Sequence, residues 1–191
     1  MTMRRFFGLI DGLYVPDRWH LGKVLAEDGA EPLFDDGAPC ERSLLLAKVT
    51  HPGRALDFCV SAFNAPIARD SLAAAIVAVA GADLQSIPVL VGKESGFRVL
   101  NAVRVVRCID EDRSEFGRWT EKDNRPDKLG KYRGVPKLRL DPRLIPEDAH
   151  FFRLKDWEVV LVVSEQVKAT MERAGCVGAK FQEVTCPEEL S

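Results

Sequence analysis

A chain of 191 residues with 46% apolar and 29% charged side chains can bury a core of its own as one domain, or as one domain with an extension, without staples. A net charge of −2 excludes a whole-protein nucleic-acid binder of the strongly basic kind. The longest apolar run, residues 72–82, is far shorter than the roughly 20 residues of a membrane helix, and the five apolar or small residues after Arg5 are too few for an export leader. Five cysteines, an odd number with no C-x-x-C pair and no zinc-ligand spacing, read as free thiols, so a cytoplasmic protein is expected.

Taken in order, residues 4–10 read as a first strand, and residues 11–25 carry mixed signals that assign no element. Residues 24–41 hold six acids (Glu27, Asp28, Glu31, Asp35, Asp36, Glu41) and no Lys or Arg. With Pro32, Gly37 and Pro39 this stretch is expected to be irregular: a solvated loop, or an acidic face for a basic partner. Residues 43–49 and 56–62 read as strands about a turn at His51-Pro52-Gly53. Residues 72–80 are apolar on every side, so a nearly fully buried helix is expected, opened by Asp70 or Ser71 and closed by Gly81. Ile87, Val89 and Val91 alternate as a strand, and residues 97–109 read as one long strand.

Residues 111–134 break this pattern. Thirteen of these 24 residues are charged, six acidic and seven basic, among Phe116, Trp119 and Tyr132. No strand or helix period survives that mixture, so an excursion between core elements is expected, mobile until a partner orders it. Residues 135–140 suggest a short strand. Val159 to Val163 is a β-branched run expected to be a buried strand. Ser164 follows as a helix N-cap with Glu165 in the first turn, where a carboxylate suits the helix dipole. Val167, Met171 and Ala174 recur as one apolar stripe, Gly175 and Gly178 stop the helix, and residues 179–184 form a strand. Strand, helix and strand thus occur twice, with Arg69 and Val89 at the same separation from Ser164 and Val184. The predicted class is α+β: a mixed, largely antiparallel sheet with two main helices.

Chemistry is sparsely signalled. His20, His51 and His150 show no metal-site spacing. His51, Asp57 and Cys59 are close in sequence, but a Cys–His site draws its groups from separate segments. No glycine pattern cradles phosphate. Asp110, Glu111, Asp112 and Glu115 lack an EF-hand's spacing. Basic residues from Arg125 to Arg139 surround Tyr132, but the acidic balance elsewhere opposes nucleic-acid binding. No catalytic residue, metal or cofactor is expected, and no small-molecule ligand is identified.

Two sets of motifs resemble a family of bacterial immunity proteins that neutralise toxins of polymorphic or contact-dependent systems. One is F-R-L at Phe152, the valine-rich strand, V-S-E-Q-V-K from Val163, the A-G…G pair after the helix, and F-x-E-V at Phe181. The other is P-I-x-R-D-S-L at Pro66, I-P-V at Ile87, and the run from Phe97 to Asn101 closing on C-x-D at Cys108. Arg69 stands where the family often has a Ser cap. The resemblance spans residues 58–184 and implies binding to a cognate toxin protein, without catalysis. It suggests a main domain at 56–191 with a charged insertion at 111–134, on which residues 1–55 pack or which they extend. Partner contacts are then expected at Trp119, Phe116, Tyr132, Asp112 and Glu115 in the insertion, with Asp35 and Asp36 as an acidic alternative. The rival reading is a small-molecule hydrolase or transferase whose pocket holds His51 and Cys59.

Overall fold

The computed structural model describes residues 4–185, so the thiol expected at Cys186 lies outside the described residues. The chain is α+β and mostly β. A six-stranded sheet runs in the order β2 (His20–Ala26), β3 (Leu45–His51), β6 (Leu84–Val91), β7 (Glu94–Ala102), β5 (Pro66–Arg69), β4 (Phe58–Val60). A five-stranded sheet runs β13 (Ala179–Glu183), β1 (Phe6–Asp11), β12 (Trp157–Ser164), β11 (Phe151–Leu154), β8 (Val105–Val106). A two-stranded ribbon pairs β9 (Glu115–Arg118) with β10 (Tyr132–Lys137). Among the described strands only β3–β6 and β8–β11 pair in parallel. The helices are α1 (Asp70–Ala80) and α2 (Glu165–Arg173).

The strand–helix–strand repeat is real in topology. β5 and β6 run parallel to each other with β7 antiparallel between them, and α1 connects them. β12 and β13 run parallel with β1 antiparallel between them, and α2 connects them. The spacing seen in the sequence holds: Asp70 and Glu165 open the helices, Leu84 and Ala179 open the strands that follow, at one common offset. The apolar faces of both units meet in one core, where Leu72, Ile76 and Leu100 of the first join Phe7, Leu161, Val167 and Met171 of the second. The outer face of the six-stranded sheet is covered by the segment bearing Trp19 and Phe34, and that of the five-stranded sheet by the segment bearing Cys108, Leu140 and Ile145.

Several expectations are corrected. Residues 11–25 contain most of β2, which their mixed signals concealed. Helix α1 buries one side only: Leu72, Ala73, Ile76 and Ala80 face the core, while Ala74 and Ala78 are exposed. An alanine-rich helix has no polar face to betray its solvent side. Val159 is 46% exposed, so the valine run is buried only from Leu161 onward. Ala174 is the exposed C-cap of α2 rather than part of its stripe.

The strand expected at residues 97–109 is two strands in different sheets. The break has a polar cause. The Val103 amide donates to the Asp83 carbonyl, and Arg104 lies against the buried Asp83 carboxylate at 2.5 Å while its other nitrogens grip Asp148 at 2.8 and 2.9 Å. Asp83 also accepts the amides of His150 and Phe151, at 2.6 and 3.1 Å. One buried carboxylate therefore ties the end of the first unit to the start of the second. Its many partners offset the cost of burying it.

Candidate partner-binding surface

The charged excursion has structure of its own: β9 and β10 pair irregularly, and two short 3-10 turns at Glu121–Asp123 and Pro126–Lys128 lie between them. The expectation of an unstructured loop overlooked how much the charges satisfy one another. Glu111 accepts the Tyr132 hydroxyl at 2.5 Å and the Arg118 guanidinium, and Arg118 also donates to the Gly130 carbonyl. The Arg118 guanidinium lies 4.4 Å from the Tyr132 ring centre, and Phe116 meets that ring edge-to-face at 5.3 Å. Tyr132 is 4% exposed, and burial, with Glu111 next, pushes its phenol up to about 12. Tyr132 is thus the internal prop of the ribbon. Its amide donates to the Asp156 carbonyl at 3.2 Å, which fastens the ribbon to the turn between β11 and β12.

Trp119 follows β9 and is half-buried. Its amide donates to Lys131 and its carbonyl accepts from Gly130. Three cations stand around the indole: Arg133 at 5.2 Å, Lys128 at 5.3 Å and Arg125 at 5.9 Å from the ring. Asp127 holds Arg125 and Asp123 holds Arg133. Asp123 also closes a reciprocal cap with Thr120, whose backbone amide is the first cause of its lowered pKa. Lys128 has no ion-pair partner among the described residues. An indole ringed by cations is an amphipathic knob: the half-buried ring offers apolar area, and Lys128, the one cation of the three without an ion-pair partner among the described residues, suits a partner's carboxylate.

The other sequence candidates distribute as follows. Phe116 is half-buried in the ribbon, and Glu115 lies 3.9 Å from Lys137. Asp112 is exposed and, with Tyr132, lines a cavity of about 230 Å³ at the ribbon's root. Asp35 and Asp36 follow the buried Phe34 on another segment, and no hydrogen bond or ion pair joins them to the ribbon among the described residues. The acid-only stretch is partly neutralised, because Asp28 pairs with Arg42 and Glu31 with Lys23.

Groupings that resemble catalytic ones resolve into structure. Cys59 is buried in the core beneath the six-stranded sheet, and burial pushes its thiol up to about 12. Asp57 is spent on Arg69 and the Val177 amide, while His51 meets His20 edge-to-face at 5.7 Å. His51 and Cys59 line neither the cavity at the ribbon's root nor the cleft between β1 and β12. The sequence did not show that His150 Nδ1 lies 3.0 Å from Ser164 Oγ with Asp83 nearby. Yet Ser164 is buried and caps α2 by accepting the Val167 amide at 3.3 Å, and Asp83 binds backbone amides and Arg104 rather than the imidazole. No cluster of three His, Cys, Asp or Glu side chains fit to hold a metal occurs among the described residues, and no helix there is long and apolar enough to cross a membrane.

The fold and this surface define a class: a two-unit α+β domain that presents a charged, aromatic-bearing ribbon. Residues 94–185 match the model of an immunity protein family, Imm11, which bears out over that range the resemblance carried by the sequence motifs. The matched range runs from β7 to just past β13 and contains the whole ribbon and α2. No curated protein matches the chain.

Proposed function

We propose that this protein is the cytoplasmic immunity protein of a bacterial polymorphic toxin system and that it binds and neutralises a cognate toxin without turning over a substrate. The family match supports the class, and the ribbon carries the reading of the surface. Trp119 and its ring of cations lie on a ribbon whose own hydrogen bonds and ion pairs hold it in shape, so contact needs little ordering and affinity is not spent on folding. In this reading residues 56–191 form the immunity unit with the insertion at 111–134, and residues 1–55 extend it by lending β1 to its sheet. Asp35 and Asp36, like other rim charges, act on the association rate.

The test is Trp119→Ala with the toxin encoded beside this gene. Loss of a buried indole hot spot costs roughly 2 kcal/mol or more of binding, about thirtyfold in Kd, with little change in Tm. A variant that melts early yet binds normally when folded makes Trp119 a packing residue. Full affinity with unchanged Tm removes the ribbon from the interface.

A further inference from the structure

The pairing of β1 with β12 ends at Gly8 opposite Val162, whereas β1 stays paired with β13 as far as Asp11 opposite Ala179. Past Gly8 the strands part, and a cleft of about 350 Å³ lies between them. Its walls are largely apolar, with Ile10, Val159 and Val160 from the parted strands and Val135 and Pro136 from the end of the ribbon. Ile10 and Val159 are 40% and 46% exposed, so the mouth is apolar and open to solvent.

One wall is Arg153, a β11 residue only 1% exposed. Its Nη1 donates to the carbonyls of Glu158 and Val159 at 3.1 and 3.3 Å, and its Nη2 to that of Asn64 at 2.9 Å. Its buried Nε has no acceptor. No carboxylate pairs with it among the described residues. Asp35 and Asp36 reach it only electrostatically, and Asp11, on the cleft wall, is taken by both terminal nitrogens of Arg18 at 2.8 and 3.0 Å. Burial pulls the Arg153 guanidinium down to about 10. A charge removed from water without a counter-ion is expensive, and the latch to three carbonyls leaves that charge without a counter-ion and the Nε nitrogen without an acceptor. A guanidinium's side edge is built to receive a carboxylate.

We propose that this cleft binds a small carboxylic acid with an apolar tail, its carboxylate accepting from Arg153 Nε and its tail lying between β1 and β12. The size agrees with small-molecule sites, which begin near about 300 Å³. The site is independent of the toxin-binding reading.

Octanoate, its neutral analogue octanamide and the acidic peptide acetyl-leucyl-aspartamide are titrated into the ¹⁵N-labelled full chain. The amide signals of Ile10 and Val160 and the Arg153 Nε–H signal are followed. Octanoate is expected to move all three and to bind about tenfold or more tighter than octanamide, the worth of one charge-assisted hydrogen bond. Arg153→Met should erase that preference. Should it not fold, Val160→Phe keeps Arg153 and fills the cleft, and it should abolish binding with Tm unchanged. Equal binding of octanoate and octanamide, no shift at millimolar octanoate, or octanoate binding undiminished in Val160→Phe overturns the site. Preference for the acidic peptide assigns the cleft to a polypeptide and overturns the small-molecule proposal.

Discussion

The two strand–helix–strand units reach one topology by different routes. In the first, the strand between β5 and β6 is β7, which follows β6 through a tight turn at Gly92. In the second, the strand between β12 and β13 is β1, from the far end of the chain. The helices differ as well. The N-cap of α1 is Arg69, whose side chain makes no cap bond, and the helix stands on four buried side chains. Helix α2 is shorter, buries only Val167 and Met171, and has the Ser164 cap. Helices this short are marginal alone, so each needs tertiary packing or a cap, and the two units weight these differently.

That contrast can be broken first at the glycines. A Cβ on Gly178 would sit 2.0 Å from the Phe58 carbonyl oxygen, at a φ of +110°. Gly178→Ala should therefore cost about 4 kcal/mol or more in chemical denaturation, because backbone must move. Gly81, which ends α1 at φ +54°, has nothing within 4 Å of such a Cβ, so Gly81→Ala should cost only about 1 kcal/mol. Equal losses would mean that the second unit's turn does not press on β4. Next come the shared core positions: Ile76→Ala and Met171→Ala should each cost about 2–5 kcal/mol, since both are wholly buried in one cluster. A clearly smaller loss for Met171 would mark the second helix as loosely packed.

The caps should separate the units further. Ser164→Ala is expected to lower stability by about 1 kcal/mol. Arg69→Ala should lower it by less, about 0.5 kcal/mol, because Arg69 makes no side-chain cap bond and loses only a partly exposed ion pair with Asp57 and its contact with the Phe97 ring. Ala78→Glu, on the solvent side of α1, should stay within about 0.5 kcal/mol, and a loss of several kcal/mol would return α1 to full burial. The smallest effect concerns the link between the units. Asp148 is lowered to about 2, first by its hydrogen bond to Arg104. A depressed carboxylate adds stability that is present above its unfolded pKa of about 3.9 and is lost as pH falls through its folded value. Asp148→Asn should flatten the fall of Tm between about pH 4 and pH 2, and an unaltered slope would place that pH dependence elsewhere.

Much of the second unit was legible because its signals are local. The Ser164 cap, the Gly175 and Gly178 stops and the β-branched run each act within a few residues, and each lies where the sequence placed it. The ribbon was legible in extent and composition but not in form. That Glu111 binds both Arg118 and Tyr132 depends on pairs 7 and 21 positions apart, which no period reveals. Trp119 was identifiable as an exposed-segment aromatic, but the three cations around it were not. Arg153 was hidden altogether, since an arginine between Phe152 and Leu154 reads as an exposed position of an alternating strand.

By itself the sequence determined the class, the two helices with their start and stop residues, the repeat at a common offset and the family resemblance. The class, the helices and the repeat rest on hydrophobic period and on backbone groups that neighbouring side chains satisfy, and the resemblance rests on short motifs in a fixed order. Only the tertiary structure decided that β1 fills the second unit, that the chain changes sheets after Ala102, and that Tyr132 and Arg153 lie inside. A strand's outward groups are satisfied by whichever distant strand reaches them, and a buried charge by whichever carbonyls converge on it. Partner choice of that kind is settled by the free energy of the whole fold and leaves no mark within a short window of residues.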